Sequence, residues 1–216
     1  MSFKASLLHF IVMSALALAA LPAKAQDKAI QLVGFGDSLM AGYQLAPSES
    51  YTAQLEKALK AKGQNVTVTN AGVSGDTTSG GLSRIDWSVP DGTDGVILEL
   101  GANDALRGIS PEQSEKNLDT MLSRLKERKI PVLMIGILAP PNMGGDYAER
   151  FNPIYKKLAD KYGAPLYPFF LDGVVTVSGT QLSDGMHPNA KGVGIMVDKS
   201  LQLVESFLGE IKDKGK

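Results

Sequence analysis

The sequence predicts an α/β fold in which helices cover both faces of a parallel β-sheet. Five short apolar runs, the pattern of buried strands, recur along the chain. The segments between them carry apolar residues at the spacing of amphipathic helices. Strands that alternate with helices in this way form βα units, which build parallel sheets. Glycine-rich polar segments follow several of the runs, at the end of the sheet where such folds place their binding sites.

Local signals mark where these elements begin and end. Ser110 is the expected cap of one helix, and Ser48 and Ser50 are both candidate caps of another. Pro153 is expected to kink or interrupt a helix, and the polar tail from Gly209 is expected to fray. The predicted strands are 29–35, 66–70, 95–100, 131–138 and 165–170. The predicted helices are 48–62, 77–87, 110–129, 146–162 and 189–208.

Composition excludes several classes of chemistry. The 216 residues include no cysteine and only two histidines. A disulfide framework, a cysteine nucleophile and a cysteine-ligated metal are therefore excluded, and a centre with several histidine ligands is disfavoured. The net charge of -1 gives no support to nucleic-acid binding, which usually needs a basic excess.

Residues 1–25 have the pattern of a secretory signal peptide. Lys4 precedes an apolar run at 10–21, and Ala23 and Ala25 form a small-x-small cleavage site. The alternative, a membrane anchor, needs about 20 apolar residues. We therefore expect cleavage after Ala25, a periplasmic or secreted protein, and no integral membrane span after processing. Residues 26–216 are then expected to form a single domain, in which His187 is the remaining histidine.

Asp184 and His187 precede the last predicted helix and form a candidate acid–base pair. Two intervening residues in a turn let the carboxylate reach imidazole Nδ1 and leave Nε2 free to act as a base. Two alternatives remain open from the local sequence. Asp184 caps the helix while His187 merely lies nearby, or the pair belongs to a metal site, for which the ligands are few.

Ser38 is the candidate nucleophile, because it follows the first strand in a Gly-Asp-Ser turn. An imidazole from the last loop would take its proton there. The alternative is a loop that cradles phosphate, with Ser38 as a simple hydrogen-bond donor. The Gly-x-Ser-x-Gly motif of α/β-hydrolases is absent, since Asp37 and Leu39 flank the serine and Met40 follows.

Acyl transfer also needs donors for the oxyanion of a tetrahedral intermediate. The backbone N–H of Gly75 and the side-chain amide of Asn103 are candidates, with the Ser38 N–H as a third. Each residue alone also fits a role as a turn residue. Their positions after consecutive strands favour the oxyanion hole.

The loop at 138–145, after the fourth strand, is a candidate wall of a substrate groove. It is apolar and bounded by proline and glycine, and we expect its tip to be mobile; an inert surface loop is the alternative. The candidate substrate-binding residues are Met40, Leu106, Pro140, Pro141, Asn142 and Met143.

Four polar segments together resemble the SGNH (GDSL-type) hydrolase family. They are Gly36-Asp37-Ser38-Leu39, the segment around Gly75, Gly101-Ala102-Asn103-Asp104 and Asp184-Gly185-Met186-His187. Longer stretches around them look like the bacterial periplasmic subgroup of thioesterases, lysophospholipases and arylesterases.

The resemblance implies a flavodoxin-like three-layer α/β/α sandwich with a five-stranded parallel sheet in the order 2-1-3-4-5. It also implies a Ser38–His187–Asp184 triad and an oxyanion hole formed by Ser38, Gly75 and Asn103. No cofactor and no metal are expected.

The resulting hypothesis is a serine esterase that acts on small-molecule carboxylic esters, and also on thioesters or lysophospholipids, through an acyl-enzyme on Ser38. One alternative is a carbohydrate O-acetylesterase with the same triad. A remote alternative is a non-enzymatic flavodoxin-like domain that binds phosphate or nucleotide. Nucleic acid is not an expected partner, and the sequence carries no signal for the oligomeric state.

Overall fold

The computed structural model of the protein describes residues 28–175 and 177–214. Its centre is a parallel sheet of five strands in the order β2-β1-β3-β4-β5. This order is the one implied by the resemblance to the SGNH family, and the prediction is confirmed. The strands are β1 (Ile30–Gly36), β2 (Val66–Gly72), β3 (Gly95–Glu99), β4 (Val132–Ile135) and β5 (Leu166–Tyr167).

Helices flank the sheet in two packed groups, which completes the three layers. One group consists of α2 and α8, and the other contains α3, α5, α6 and α7. The helices are α1 (Ser38–Ala41), α2 (Tyr51–Ala61), α3 (Thr78–Ser88), α4 (Ala102–Leu106), α5 (Pro111–Glu127), α6 (Gly145–Phe151), α7 (Ile154–Tyr162) and α8 (Ala190–Lys214).

The core lies along the middle strands. All five residues of β3 are buried, and Leu32 and Phe35 of β1 are fully enclosed. Burying one such side chain contributes roughly 1.5–3 kcal/mol relative to leaving it in water. A buried hydrogen bond of 2.8 Å between the Tyr51 and Ser200 hydroxyls joins α2 to α8. These contacts fix the middle strands, whose carboxyl ends carry the candidate site.

The helix caps agree with the sequence signals. The side chains of Ser50 and Ser110 accept backbone N–H groups at the starts of α2 and α5. Thr77 caps α3 in the same way. Such a cap satisfies a donor that has no partner within the helix, which stabilises the helix by about 1 kcal/mol.

The interruption expected at Pro153 is confirmed: the helix predicted at 146–162 is divided into α6 and α7, because the chain turns at Asn152 and Pro153 and proline has no N–H to donate. Other predicted bounds need correction. The fourth and fifth strands are shorter than predicted. The tail from Gly209 does not fray, because α8 continues to Lys214 and Ile211 packs against the core.

The predicted signal peptide lies outside the described residues, so its cleavage stays a prediction. Within 28–175 and 177–214, no helix is long and apolar enough to cross a membrane.

Candidate active site

The carboxyl edge of the sheet brings the four polar segments together. Ser38 follows β1, Gly75 follows β2 and Asn103 follows β3. His187 lies in the loop that precedes α8. The parallel direction of the strands explains this convergence, because successive strands then end at the same edge.

Ser38 is the first residue of α1. The preceding residue, Asp37, caps the helix by accepting the Leu39 N–H at 3.0 Å. Gly42 ends the helix one turn later in a left-handed conformation. The first N–H groups of a helix have no partner within it, which leaves the backbone N–H of Ser38 available as a donor. The Ser38 side chain retains a narrow opening to solvent, since the residue is 8% exposed.

A continuous series of hydrogen bonds connects Ser38, His187 and Asp184. The Nε2 atom of His187 lies 2.9 Å from Ser38 Oγ, and its Nδ1 atom lies 2.6 Å from Asp184 Oδ2. With the proton on Nδ1 donated to the carboxylate, Nε2 accepts the serine hydroxyl. This is the geometry in which a histidine activates a serine.

The turn around Asp184 stabilises its charged form. Its Oδ1 atom accepts the backbone N–H groups of Met186 at 2.9 Å and His187 at 3.0 Å. These bonds, led by the one from the His187 N–H, lower the pKa of Asp184 to about 2. The carboxylate is therefore ionised over the whole range in which a histidine acts as a base.

Tyr43 forms part of the site and was missed from the sequence. Its ring packs on the imidazole of His187, with ring centroids 4.4 Å apart and an angle of 34° between the planes. Its N–H donates to the Ser38 carbonyl at 3.1 Å, because Tyr43 directly follows the end of α1. The ring restricts His187 on one face.

Gly75 and Asn103 are the other two predicted oxyanion donors. Gly75 has φ of +80°, a left-handed conformation that favours glycine, and its carbonyl accepts Arg107 Nη2 at 2.8 Å. Within the described residues, its N–H has no hydrogen-bond partner. Asn103 projects from the first turn of α4, and its Nδ2 donates one hydrogen to Asp37 Oδ2 at 3.1 Å. Its second amide hydrogen remains available.

A buried ion pair holds the Gly75 loop against β1. Arg84 of α3 contacts Asp76 at 2.7 Å, and both side chains are almost wholly enclosed. The same guanidinium donates to the carbonyls of Gly36 and Ala71, and lies 4.0 Å from the centre of the Phe35 ring. The sequence did not indicate the role of this arginine, because a single charged residue in a helix usually faces solvent.

A second buried network fixes the helix that carries Asn103. Asp104 is fully buried and accepts hydrogen bonds from Thr78 of α3 and Ser114 of α5. Asn117 extends the network by donating to the Thr78 hydroxyl at 3.0 Å. Since three helices meet at this carboxylate, α4 has little freedom to shift relative to the sheet.

The predicted groove residues differ in their exposure to solvent. Leu106, Pro141 and Asn142 are exposed on this edge, while Pro140 and Met143 are half-buried. Met40 does not line a groove and needs correction, because it is fully buried with its sulfur packed over Gly34 of β1. The absence of a side chain at residue 34 is the signal that could have indicated this inward direction.

The edge around the site also carries most of the exposed large apolar residues. Among the described residues, seven of the eight lie in segments that follow a strand or flank His187, and Trp87 is the exception. The seven are Tyr43, Val73, Leu106, Leu138, Val175, Val177 and Met186. Such a concentration favours a substrate with an apolar part.

In residues 28–175 and 177–214, no group of three His, Asp or Glu side chains is arranged to hold a metal ion. The arrangement around Ser38 instead defines the class: a serine, a base and a carboxylate in series, next to convergent N–H donors, form the site of a serine hydrolase.

Comparison with known proteins identifies the family. Residues 35–195 match the model of the GDSL-like lipase/acylhydrolase family, and the chain belongs to this family. It is 44% identical to an arylesterase of Vibrio mimicus over 159 residues, which is 73% of this chain and 80% of that protein. It is 37% identical to thioesterase 1/protease 1/lysophospholipase L1 of Escherichia coli K12 over 168 residues, 77% of this chain and 79% of that protein.

A solved structure gives the same answer. AlinE4, an esterase of the SGNH-hydrolase family, superposes with a TM-score of 0.72 at 45% identity and covers 85% of this chain and 99% of its own. The predicted family is confirmed, as is the predicted class of enzyme. The protein is a serine esterase that hydrolyses carboxylic esters.

Proposed function

We propose that Ser38 is the nucleophile of this esterase, His187 its general base and Asp184 the residue that orients His187. The observation that supports this most directly is the unbroken series from Asp184 Oδ2 through the imidazole to Ser38 Oγ. In the first half-reaction, Ser38 Oγ bonds to the ester carbonyl carbon while its proton moves to His187 Nε2. The carbonyl π-electrons move onto oxygen and form the oxyanion.

The oxyanion is stabilised by the N–H groups of Ser38 and Gly75 and by the second amide hydrogen of Asn103. One donor of this kind contributes about 3 kcal/mol to the transition state. When the intermediate collapses, the bond to the leaving oxygen or sulfur breaks and His187 donates its proton to that atom. Water then attacks the acyl-Ser38 ester with His187 as base, which releases the acid and regenerates the serine.

Replacement of Ser38 by Ala tests the assignment. We expect kcat for p-nitrophenyl butyrate to fall by at least about 10³-fold, because within residues 28–175 and 177–214 the hydroxyl held against His187 Nε2 is that of Ser38. Ser206→Ala, a change at an exposed serine of α8, is the matched control and should retain activity. A folded Ser38→Ala variant that hydrolyses the ester at the wild-type rate would remove the proposed nucleophile.

For the substrate we propose esters and thioesters with an apolar acyl chain, lysophospholipids included, in a groove walled by Leu106 and residues 140–143. The exposed apolar residues at this edge support this choice, as do the arylesterase and the thioesterase/lysophospholipase named above. Met143 lies next to Gly108, beside the helix that carries Asn103. Rates across acetyl, butyryl and octanoyl esters should change in Met143→Ala relative to wild type. Release of acetate from acetylated sugars alone would favour the carbohydrate O-acetylesterase instead.

We propose that the chain is exported and that residues 26–216 form the working domain. The basic residue Lys4, the apolar run at 10–21 and the Ala23–Ala25 cleavage pattern support this. N-terminal sequencing of protein from a periplasmic or medium fraction should begin at Gln26. Recovery of the uncleaved chain from the cytoplasm would contradict the proposal.

A further inference from the structure

Two buried carboxyl groups, those of Asp37 and Glu99, lie next to the nucleophile segment, and the proposed acyl transfer uses neither. Asp37 and Glu99 are both fully enclosed. Glu99 is the last residue of β3, and its Oε2 atom accepts the backbone N–H of Asp37 at 3.2 Å. Its Oε1 atom is buried and has no hydrogen-bond partner among the described residues. Buried polar groups are nearly always paired, so a buried glutamate with an unpaired oxygen is unusual.

Gly36 permits the approach of the two carboxyl groups. A Cβ atom at this position would lie 2.5 Å from Glu99 Oε2 and 2.7 Å from the Glu99 carbonyl oxygen. Without a side chain at residue 36, β1 and β3 bring the Glu99 carboxyl group up to the backbone of Asp37. The first glycine of the Gly-Asp-Ser-Leu segment therefore has a specific packing function.

The pair holds its negative charge on Asp37. Burial raises the pKa of Asp37 to about 6, and burial together with the Asp37 charge raises the pKa of Glu99 further above its usual range. Around Asp37, His187 favours its ionised form and the like charge of Asp76 opposes it. The hydrogen bonds donated by Leu39 and Asn103 also favour a carboxylate at residue 37. Burial thus favours the protonated form of Glu99, while these hydrogen bonds favour Asp37 as the charged member of the pair.

This carboxylate determines which way the Asn103 amide faces. Oδ1 of Asp37 is occupied by the Leu39 N–H, and Oδ2 accepts Asn103 Nδ2. A carboxylate only accepts hydrogen bonds, so it attracts the NH₂ end of an amide and repels the oxygen end. If the amide rotated by half a turn, its oxygen would face Asp37, and the hydrogen needed for the oxyanion would be lost.

We propose that Asp37 is a positioning residue that fixes the Asn103 carboxamide with its NH₂ group toward the oxyanion of the transition state. The inference rests on the proposed role of Asn103 in the oxyanion hole. The interaction contributes mainly after the oxyanion has formed, so it acts on kcat and leaves KM nearly unchanged.

Asp37 also caps α1, and a loss of the cap has to be separated from a loss of amide orientation. Asp37→Ser keeps a good capping oxygen, but its shorter side chain does not reach Asn103. Asp37→Asn keeps the shape of the side chain and has one acceptor in place of two. Asp119→Asn is the matched control, since Asp119 of α5 is an aspartate that also accepts two side-chain hydrogen bonds, from Lys161 and Tyr162 of α7.

A double-mutant cycle with Asn103→Ala tests the proposal, with kcat and KM measured for p-nitrophenyl butyrate at pH 8. We expect Asn103→Ala to lower kcat by about 10²–10³-fold and each Asp37 variant by about 10–100-fold. In the Asn103→Ala background, the Asp37 changes should cost less than about threefold, because the group through which they act is gone. Asp119→Asn should lower the melting temperature while kcat changes less than threefold.

Losses that multiply in the double variants would overturn the proposal, because Asp37 would then act through the α1 cap or through Ser38. An increase in KM with kcat unchanged would overturn it as well. If Asn103→Ala itself retains wild-type kcat, the proposed oxyanion hole fails and the inference fails with it. Near-ultraviolet circular dichroism of each variant confirms that the compared proteins are folded.

Discussion

Asp37 directly precedes Ser38 in the chain, Asp184 is connected to Ser38 through His187, and the two aspartates differ in their access to water. Asp184 lies in a surface loop with its side chain 30% exposed, and it accepts three hydrogen bonds from Met186 and His187. Asp37 lies at the end of a central strand, accepts two hydrogen bonds, and is fully buried beside Glu99. The pKa of Asp184 is lowered to about 2, whereas that of Asp37 is raised to about 6.

Hydrogen bonds alone therefore do not set the charge of a carboxyl group. Both aspartates accept backbone N–H groups, which favour the ionised form. Desolvation outweighs those bonds at Asp37, while Asp184 has little desolvation to offset. The surface carboxylate is suited to support a histidine that gains a proton, and the buried one to orient an uncharged amide.

The largest expected effect comes from Asp184→Asn. The new NH₂ group would face His187 Nδ1 and place the imidazole proton on Nε2, which can then no longer accept the Ser38 proton. We expect kcat for p-nitrophenyl butyrate to fall by about 10⁴-fold, as for other triads that lose the tautomer. Asp198→Asn, at an exposed aspartate of α8, is the control and should retain activity. A loss below tenfold for Asp184→Asn would show that Asp184 does not set the tautomer.

The next effect is on stability: near neutral pH, Asp37→Asn is expected to raise the free energy of unfolding. Folded Asp37 keeps its proton up to about pH 6, while an unfolded aspartate loses it near 3.8. The folded state thus binds more protons in this window, so its stability falls as pH rises through it, by roughly 3 kcal/mol in total. Asp37→Asn removes this cost.

Urea unfolding of wild type and Asp37→Asn at pH 4 and pH 7 measures the effect. The free energy of unfolding of the variant, relative to wild type, should increase by up to about 3 kcal/mol between the two pH values. If the difference in the free energy of unfolding between variant and wild type were the same at both pH values, the pKa of Asp37 would be ordinary, and other interactions would offset its burial. The same variant is expected to lose activity, so residue 37 would exchange stability for function.

The smallest effect is expected for Glu99→Gln. Glutamine reproduces the neutral form of Glu99, and its amide oxygen can still accept the Asp37 N–H. We expect kcat at pH 8 to remain within about threefold of wild type. A loss of tenfold or more in a folded variant would locate the charge of the pair on Glu99 and reverse the assignment.

The sequence was sufficient to predict most of the fold, because apolar periodicity and caps are local signals. The position of Ser110 before a proline predicts its cap correctly, whereas the choice between Ser48 and Ser50 is decided only by the structure, in favour of Ser50. The errors arose where tertiary packing decides. Ile211 docks on the core and extends α8 past Gly209, which no local pattern indicates.

The candidate site was predictable as a set of residues and only partly as a structure. Ser38, His187 and Asp184 come together as expected. The contacts of Asp37 with Asn103 and Glu99 span more than sixty residues in sequence and depend on strand order. A carboxyl residue at the end of the otherwise apolar run 95–99 was a usable signal for Glu99. Nothing local could have placed Tyr43 on the imidazole.

A carbon-13 NMR titration of the aspartate carboxyl carbons tests the contrast between the two aspartates most directly. The spectra of Asp37→Asn and Asp184→Asn assign the two resonances. Between pH 4 and pH 9, we expect Asp37 to titrate with a midpoint near pH 6. Asp184 should not titrate in this range, because its pKa is about 2. An Asp37 midpoint at or below pH 4, or an Asp184 resonance that titrates within this range, would contradict these expectations.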